Sequence, residues 1–248
     1  MGKTCSLWLV TCLLCIQGLV AQVIVEQAAT GGAADGELRI FGMNGASRRI
    51  SYDKIKGSPF FNPEWLKAEL YHPNGKSLGI YPVKLNLATH EVHFLDKKGY
   101  ELAADDGVVA RVVFVDSLGD GKPKVSFRDD YDAVNMTYNG NKKYAQEMNL
   151  GDVSLLKVTI RNGREADSMF GTLKRYYFTD RYDYYVRVYK RVEKLKKLNQ
   201  DEIFAVIPAK REIVDYVKQQ KLNLKKEEDV IALFDFINSQ PKAAPNNN

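Results

Sequence analysis

Between Trp65 and Val115 apolar and polar residues alternate in runs of strand length, and nothing in the stretch recurs at helical spacing. In Val108–Val115 one parity holds Val108, Ala110, Val112 and Phe114, and the other holds Val109, Arg111, Val113 and Val115. This predicts a strand with one wholly apolar face and one mixed face. Pro73-Asn74-Gly75, Asp96-Lys97-Lys98-Gly99 and Asp105-Asp106-Gly107 supply residues that accept the positive φ of tight reversals. The stretch is expected to be a β-meander packed on a core.

The same grammar resumes after Gly119-Asp120-Gly121. Strands are predicted at about 124–128, 134–138, 144–148 and 153–160, followed by a pair of strands within 172–192. Asn139-Gly140, Leu150-Gly151-Asp152 and Asn162-Gly163 are the expected turns. No fixed-period repeat is present, so the two halves are expected to form one mainly β, antiparallel domain, as a sandwich or a barrel. From Asn199 the spacing changes. Ile203, Phe204 and Ile207, then Ile213, Tyr216 and Val217, then Val230, Ile231, Phe234 and Ile237 fall on helical faces, with Pro208 between the first two groups. These predict a C-terminal cap of two or three helices over 199–240, docked on the sheet of the β domain 37–198. Residues 241–248, ending Pro245-Asn246-Asn247-Asn248, are expected to be a disordered tail.

The first residues add a setting. Lys3, the apolar run Cys5–Ile16 and Gln17-Gly18-Leu19-Val20-Ala21 read as a secretory leader over 1–21, cleaved after Ala21, with a small-residue tether over 22–36. Gln17, Gly18 and Gln22 interrupt the length a spanning anchor needs. All three cysteines lie inside that leader, so the mature chain is expected to hold no disulfide, thiolate nucleophile or Cys-ligated zinc. The formal charge of +5 becomes +4 when Lys3 leaves, a mild bias toward anionic partners. It does not suggest a nucleic-acid binder, and no cofactor is expected.

Gly57-Ser58-Pro59-Phe60 before a β-meander, a late tyrosine-rich hairpin and the tail Leu222-Asn223-Leu224-Lys225-Lys226-Glu227-Glu228-Asp229-Val230-Ile231 resemble a group of exported Gram-negative envelope proteins that has no assigned activity. The resemblance covers about residues 52–239 by order of features and carries no catalytic motif. It implies a periplasmic or surface setting.

Candidate chemistry is sparse. No nucleophile elbow, phosphate loop, zincin helix or dinucleotide fingerprint occurs. His90 and His93, three apart in a strand, are expected on opposite faces and so as structural rather than metal-ligating groups, and His72 sits beside a turn. Asp116-Ser117-Leu118-Gly119-Asp120-Gly121 hints at a calcium loop, but Leu118 takes a ligand position and Phe127 stands where a closing Glu belongs. Asp116-Ser117-Leu118 and Asp167-Ser168-Met169 resemble bacterial O-glycosylation acceptors, and Asn135-Met136-Thr137 is a sequon. Asp129, Asp130 and Asp132 around Tyr131 could divide acid and base roles in a metal-independent hydrolase, the alternative to a binding protein. A purely structural envelope protein is the third reading.

The strongest local signal is charge. Residues 171–200 carry nine Lys or Arg against three acids. Taken as one strand, Tyr182, Tyr184, Val186 and Val188 share a parity that suits a core. Arg181, Asp183, Tyr185, Arg187, Tyr189 and Arg191 share the other. Arg181, Tyr185, Arg187, Tyr189 and Arg191 are therefore the candidate binding residues: an exposed tyrosine and guanidinium face that stacks on sugar rings or forks onto phosphate and carboxylate groups. The expected function is non-enzymatic binding of an anionic envelope component or a glycan.

Overall fold

A computed structural model describes residues 37–41, 47–115, 125–131, 142–166 and 175–240. The leader, the tether, the Asp116–Gly121 segment, Asp132, the strand expected at 134–138, the Asn135 sequon, Asp167–Met169 and the terminal tail lie outside the described residues.

The chain is mainly β. A short hairpin of β1 (Glu37–Phe41) and β2 (Ser47–Ser51) precedes a one-turn 3-10 helix at Tyr52–Lys54 and the two-residue β3 (Ile55–Lys56). The meander comprises β4 (Leu66–Tyr71), β5 (Ser77–Leu85), β6 (Val92–Leu95), β7 (Glu101–Ala103) and β8 (Arg111–Phe114). Then come β9 (Ser126–Arg128), β10 (Ala145–Glu147), β11 (Val153–Ala166), β12 (Arg175–Val188) and β13 (Arg191–Leu195). Three helices close the sequence: α1 (Gln200–Val206), α2 (Arg211–Gln219) and α3 (Glu227–Ser239). Among the described residues no helix is long and apolar enough to cross a membrane.

The expected mainly β domain with a C-terminal helical cap is present, and the sheet does not close into a barrel. The strands run in one sheet in the order β13-β12-β11-β10-β9-β8-β4-β5-β6-β7, which does not close, and only β3 beside β12 is parallel. The turns behave as their residues dictate: Gly75, Gly99 and Gly107 have φ of 82°, 84° and 79°. Asn162-Gly163 does not turn. Thr179 and Phe178 lie opposite those residues and the ladder continues to Ala166, so pairing with a fourteen-residue partner overrides the local turn preference.

Three apolar clusters follow from strand parity. Val112 and Phe114 of β8 meet Ala68 and Leu70 of β4, Val83 and Leu85 of β5, and Phe127 of β9. Phe61 packs on this cluster, its ring centroid 4.9 Å from Phe127 and 5.7 Å from Phe114. On β11 the odd residues Val153 and Leu155 face the helices, with Val186, Leu195, Ile203, Val217, Leu233 and Phe234. The even residues Leu156, Val158 and Ile160 face the other way, onto Tyr131, Ala145 and Tyr185. This strand is buried on both sides, which is why it reads as a near-continuous apolar run.

The helices form as their caps and faces specify. The Asn199 side chain accepts from the Glu202 amide at 2.8 Å to start α1. α3 presents Val230, Leu233 and Phe234 to the sheet and is clamped at both ends. At its N-terminus Glu227 accepts from the Tyr184 hydroxyl at 2.5 Å and from Lys157 Nζ at 2.8 Å. At its C-terminus Asn238 accepts from the Val153 amide at 2.9 Å and donates to the Val153 and Leu150 carbonyls.

Candidate functional site

The five residues selected by parity do not form one ribbon. β12 ends at Val188, and Tyr189 and Lys190 make a two-residue turn in which Tyr189 has φ 54° and is 63% exposed. Arg191 starts β13 directly opposite Val188. Cross-strand partners share a face, so Arg191 lies on the face opposite Arg187. It is exposed and paired with Glu193. Tyr185 is only 3% exposed, enclosed by Tyr131, Leu156 and Val158, with Lys194 Nζ 5.7 Å from its ring. Arg187 is occupied by the fold: it donates to the Gly151 carbonyl at 2.8 Å and to Ser154 Oγ at 2.7 Å. Arg181 alone of the set combines a position within β12 with an open side chain, 3.8 Å from Asp183. Alternation therefore held along β12, but burial did not, because neighbouring strands cover both faces at the Tyr185 end and a hairpin resets the register after Val188.

The carboxylates and histidines are dispersed. Asp129 is buried, and desolvation, opposed by the nearby Lys142, pushes its carboxyl up to about 6. Asp130 is open and held by Arg128 through bonds of 2.8 and 2.6 Å. The two lie at a bend just past β9, one carboxylate buried and the other exposed on Arg128. His90 occupies a turn at φ 60°, where burial, and then Lys143, lowers it to about 4. His93 sits in β6 and is bonded through Nδ1 to Glu101 at 2.8 Å, with Glu91 3.7 Å from Nε2. Burial opposes its charge, but the two glutamates outweigh that and raise its pKa. Among the described residues no group of three or more His, Cys, Asp or Glu is arranged to hold a metal ion.

Concavity is found elsewhere, around Tyr182. Segment 56–63 crosses the end of β5, where Phe61 N–H donates to the Leu85 carbonyl at 2.8 Å and Leu87 N–H to Pro59 at 2.9 Å. Gly57, at φ 108°, makes the bend that starts it. Arg161 of β11 ties this segment to the sheet. Its guanidinium donates to the carbonyls of Ser58 (2.9 Å) and Phe60 (2.7 Å) and forks onto Asp180 at 2.7 and 2.8 Å. The fork holds the Asp180 carboxyl below the usual carboxylate range. Between segment and strand lies a cleft of about 500 Å³, walled by Lys56, Phe60, Phe61, Phe178, Arg161 and Tyr182. No family model, curated protein or solved structure matches the chain.

A second cleft of about 290 Å³ lies on the other side of Tyr182, against Asp183, Tyr184, Lys194, Leu195 and Lys196. Tyr182 is 45% exposed, and Lys157 Nζ sits 4.1 Å from the centre of its ring. Lys56 in the larger cleft and Lys194 and Lys196 in the smaller are exposed; Arg181, also exposed, lies on the opposite face of β12. The acids nearby are engaged: Asp180 with Arg161, and Asp183 with Arg181 and with Lys194 at 3.4 Å. An aromatic wall with a cationic rim suits stacking plus charge-assisted hydrogen bonds to carboxylate or phosphate groups. Sequence parity missed Tyr182 by assigning it to a core with Tyr184, Val186 and Val188, and it did not single out Phe178 or Arg161 of β11. The available signal was the polar Asp180 and amphipathic Tyr182 at positions where Val186 and Val188 continue the apolar stripe.

Proposed function

We propose that the protein is a non-enzymatic binding protein that holds an anionic partner, a glycan or another acidic polymer, at the paired clefts around Tyr182. With the leader read as an export signal, that partner belongs to the cell envelope. The observation that carries this reading is the position of Tyr182 as the shared wall of both clefts, one lined by the exposed Lys56 and the other by the exposed Lys194 and Lys196. Lys56, Lys194 and Lys196 supply the cations of the site, and Arg181 lies on the opposite face of β12. The hydrolase alternative has less support, because neither Asp129 nor Asp130 lines these clefts.

A column of immobilised polygalacturonate tests the reading. The wild-type protein should be retained at low salt, and a Lys56→Glu, Lys194→Glu, Lys196→Glu variant should pass unretained. Arg191→Glu, which lines neither cleft, should elute with the wild type. Unretained wild type, or a triple variant that elutes like it, overturns the proposal.

A further inference from the structure

Strand β12 has neighbours along only part of its outer edge. β3 pairs with Tyr176 and Tyr177, and β13 pairs with Tyr184 through Val188. Between them, among the described residues, Phe178 to Asp183 have no strand on that side. The direction of their main-chain groups follows from one bond. Arg161 N–H donates to the Leu87 carbonyl at 3.0 Å, away from β12, so Arg161 and Asp180 form a non-hydrogen-bonded pair. The N–H and C=O of Asp180 therefore point outward, and by alternation so do those of Tyr182. Exposure agrees: Asp180 is an exposed residue although its side chain, folded onto Arg161, is only 22% exposed.

We propose that this open window on β12 is a strand-addition site for an extended acidic peptide of a partner protein. The inference rests on the binding reading above and names its ligand class. Six residues span about 20 Å, room for a short added strand. The window is closed at both ends by β3 and β13, so a second copy's β12, fourteen residues long and flanked by the same strands, cannot enter it. A single peptide can.

The side chains of an added strand would alternate between the two faces of the sheet. On the Tyr182 face they meet the aromatic clefts. On the opposite face they meet Arg181 and Lys194, whose side chains are 61% and 54% exposed and share only Asp183 as counter-charge. The favoured peptide alternates apolar and acidic residues. Charged side chains ordinarily protect a bare edge. Here Arg181 and Asp183 project from the faces and leave the edge itself open.

The probe is a fluorescein-labelled Glu-Val-Glu-Phe-Glu-Val-Glu peptide, followed by fluorescence anisotropy with the full chain. Two analogues carry backbone N-methyl groups, one on the Glu amides and one on the Val and Phe amides. A strand pairs through alternate residues only, so one analogue should lose about tenfold in affinity and the other should bind as the parent. Arg181→Glu with Lys194→Glu should weaken the parent peptide by about tenfold. Equal behaviour of the two analogues, whether both bind or both fail, overturns strand addition. An unbound parent peptide beside a protein retained on polygalacturonate overturns the peptide assignment and leaves the cationic site standing. Failure of both ligands removes the site altogether.

Discussion

Arg161 and Asp180 face each other across the β11–β12 ladder and are joined by two parallel N–H···O bonds of 2.7 and 2.8 Å, while the same guanidinium holds the carbonyls of Ser58 and Phe60. One side chain thus fixes the strand, the crossing segment and the wall of the larger cleft.

Arg161→Lys keeps the charge but cannot reproduce a planar fork with two further donors. It should lower stability by about 2–3 kcal/mol, read as a shift in the urea midpoint. It should also weaken polygalacturonate retention, since segment 56–63 loses its tie.

Arg187 and Arg191 look equivalent in the chain and should behave differently. Arg187→Ala removes two charge-assisted bonds and leaves the Gly151 carbonyl with the Ser154 hydroxyl at 3.3 Å, and should cost about 1–3 kcal/mol. Arg191→Ala removes an exposed ion pair and should change stability by less than about 0.5 kcal/mol. Thermal unfolding of the two variants separates them.

Gly151 has φ 129°, and a Cβ there would lie 2.4 Å from the Asn238 amide that pins α3 to Val153 and Leu150. Gly151→Ala must both strain the backbone and displace that amide, at about 3 kcal/mol in all. Adding Asn238→Ala to it should cost much less than Asn238→Ala costs the wild type, which a double-mutant cycle in urea measures.

His90 and Asp129 titrate in opposition. His90, depressed to about 4 in the fold, takes up its proton first in the unfolded chain, so its contribution is present above about pH 6.5 and is lost as pH falls toward 4. Asp129, raised to about 6, holds its proton longer in the fold, so stability falls as pH rises from about 4 to 6. Each effect is about 3 kcal/mol, and they nearly cancel. The wild-type urea midpoint should therefore change little between pH 4 and 6 on account of this pair. Asp129→Asn should make it rise steeply with pH over that range, and His90→Asn, which tolerates the positive φ, should make it fall.

Much of this molecule was legible in its residues because the information is local. Alternation in Val108–Val115 needs only the two-residue period of a strand, and it matched the buried Val112 and Phe114 within β8, whereas Val109 and Ala110, ahead of that strand, are both buried. The turns at Gly75, Gly99 and Gly107 needed only a residue that accepts positive φ. The faces of the three helices needed only their spacing, seen in Val230, Leu233 and Phe234.

What the chain could not declare is which neighbours each strand face meets. Tyr185 and Tyr182 carry the same side chain three residues apart in one strand, yet one is sealed beneath Lys194 and Tyr131's cluster and the other stands between two clefts. That difference arises from where β10, β13 and segment 56–63 arrive, all of them contacts distant along the chain. Periodicity specifies the direction of a side chain, and only the closing of long-range pairs determines whether that direction is filled by protein or left to a partner.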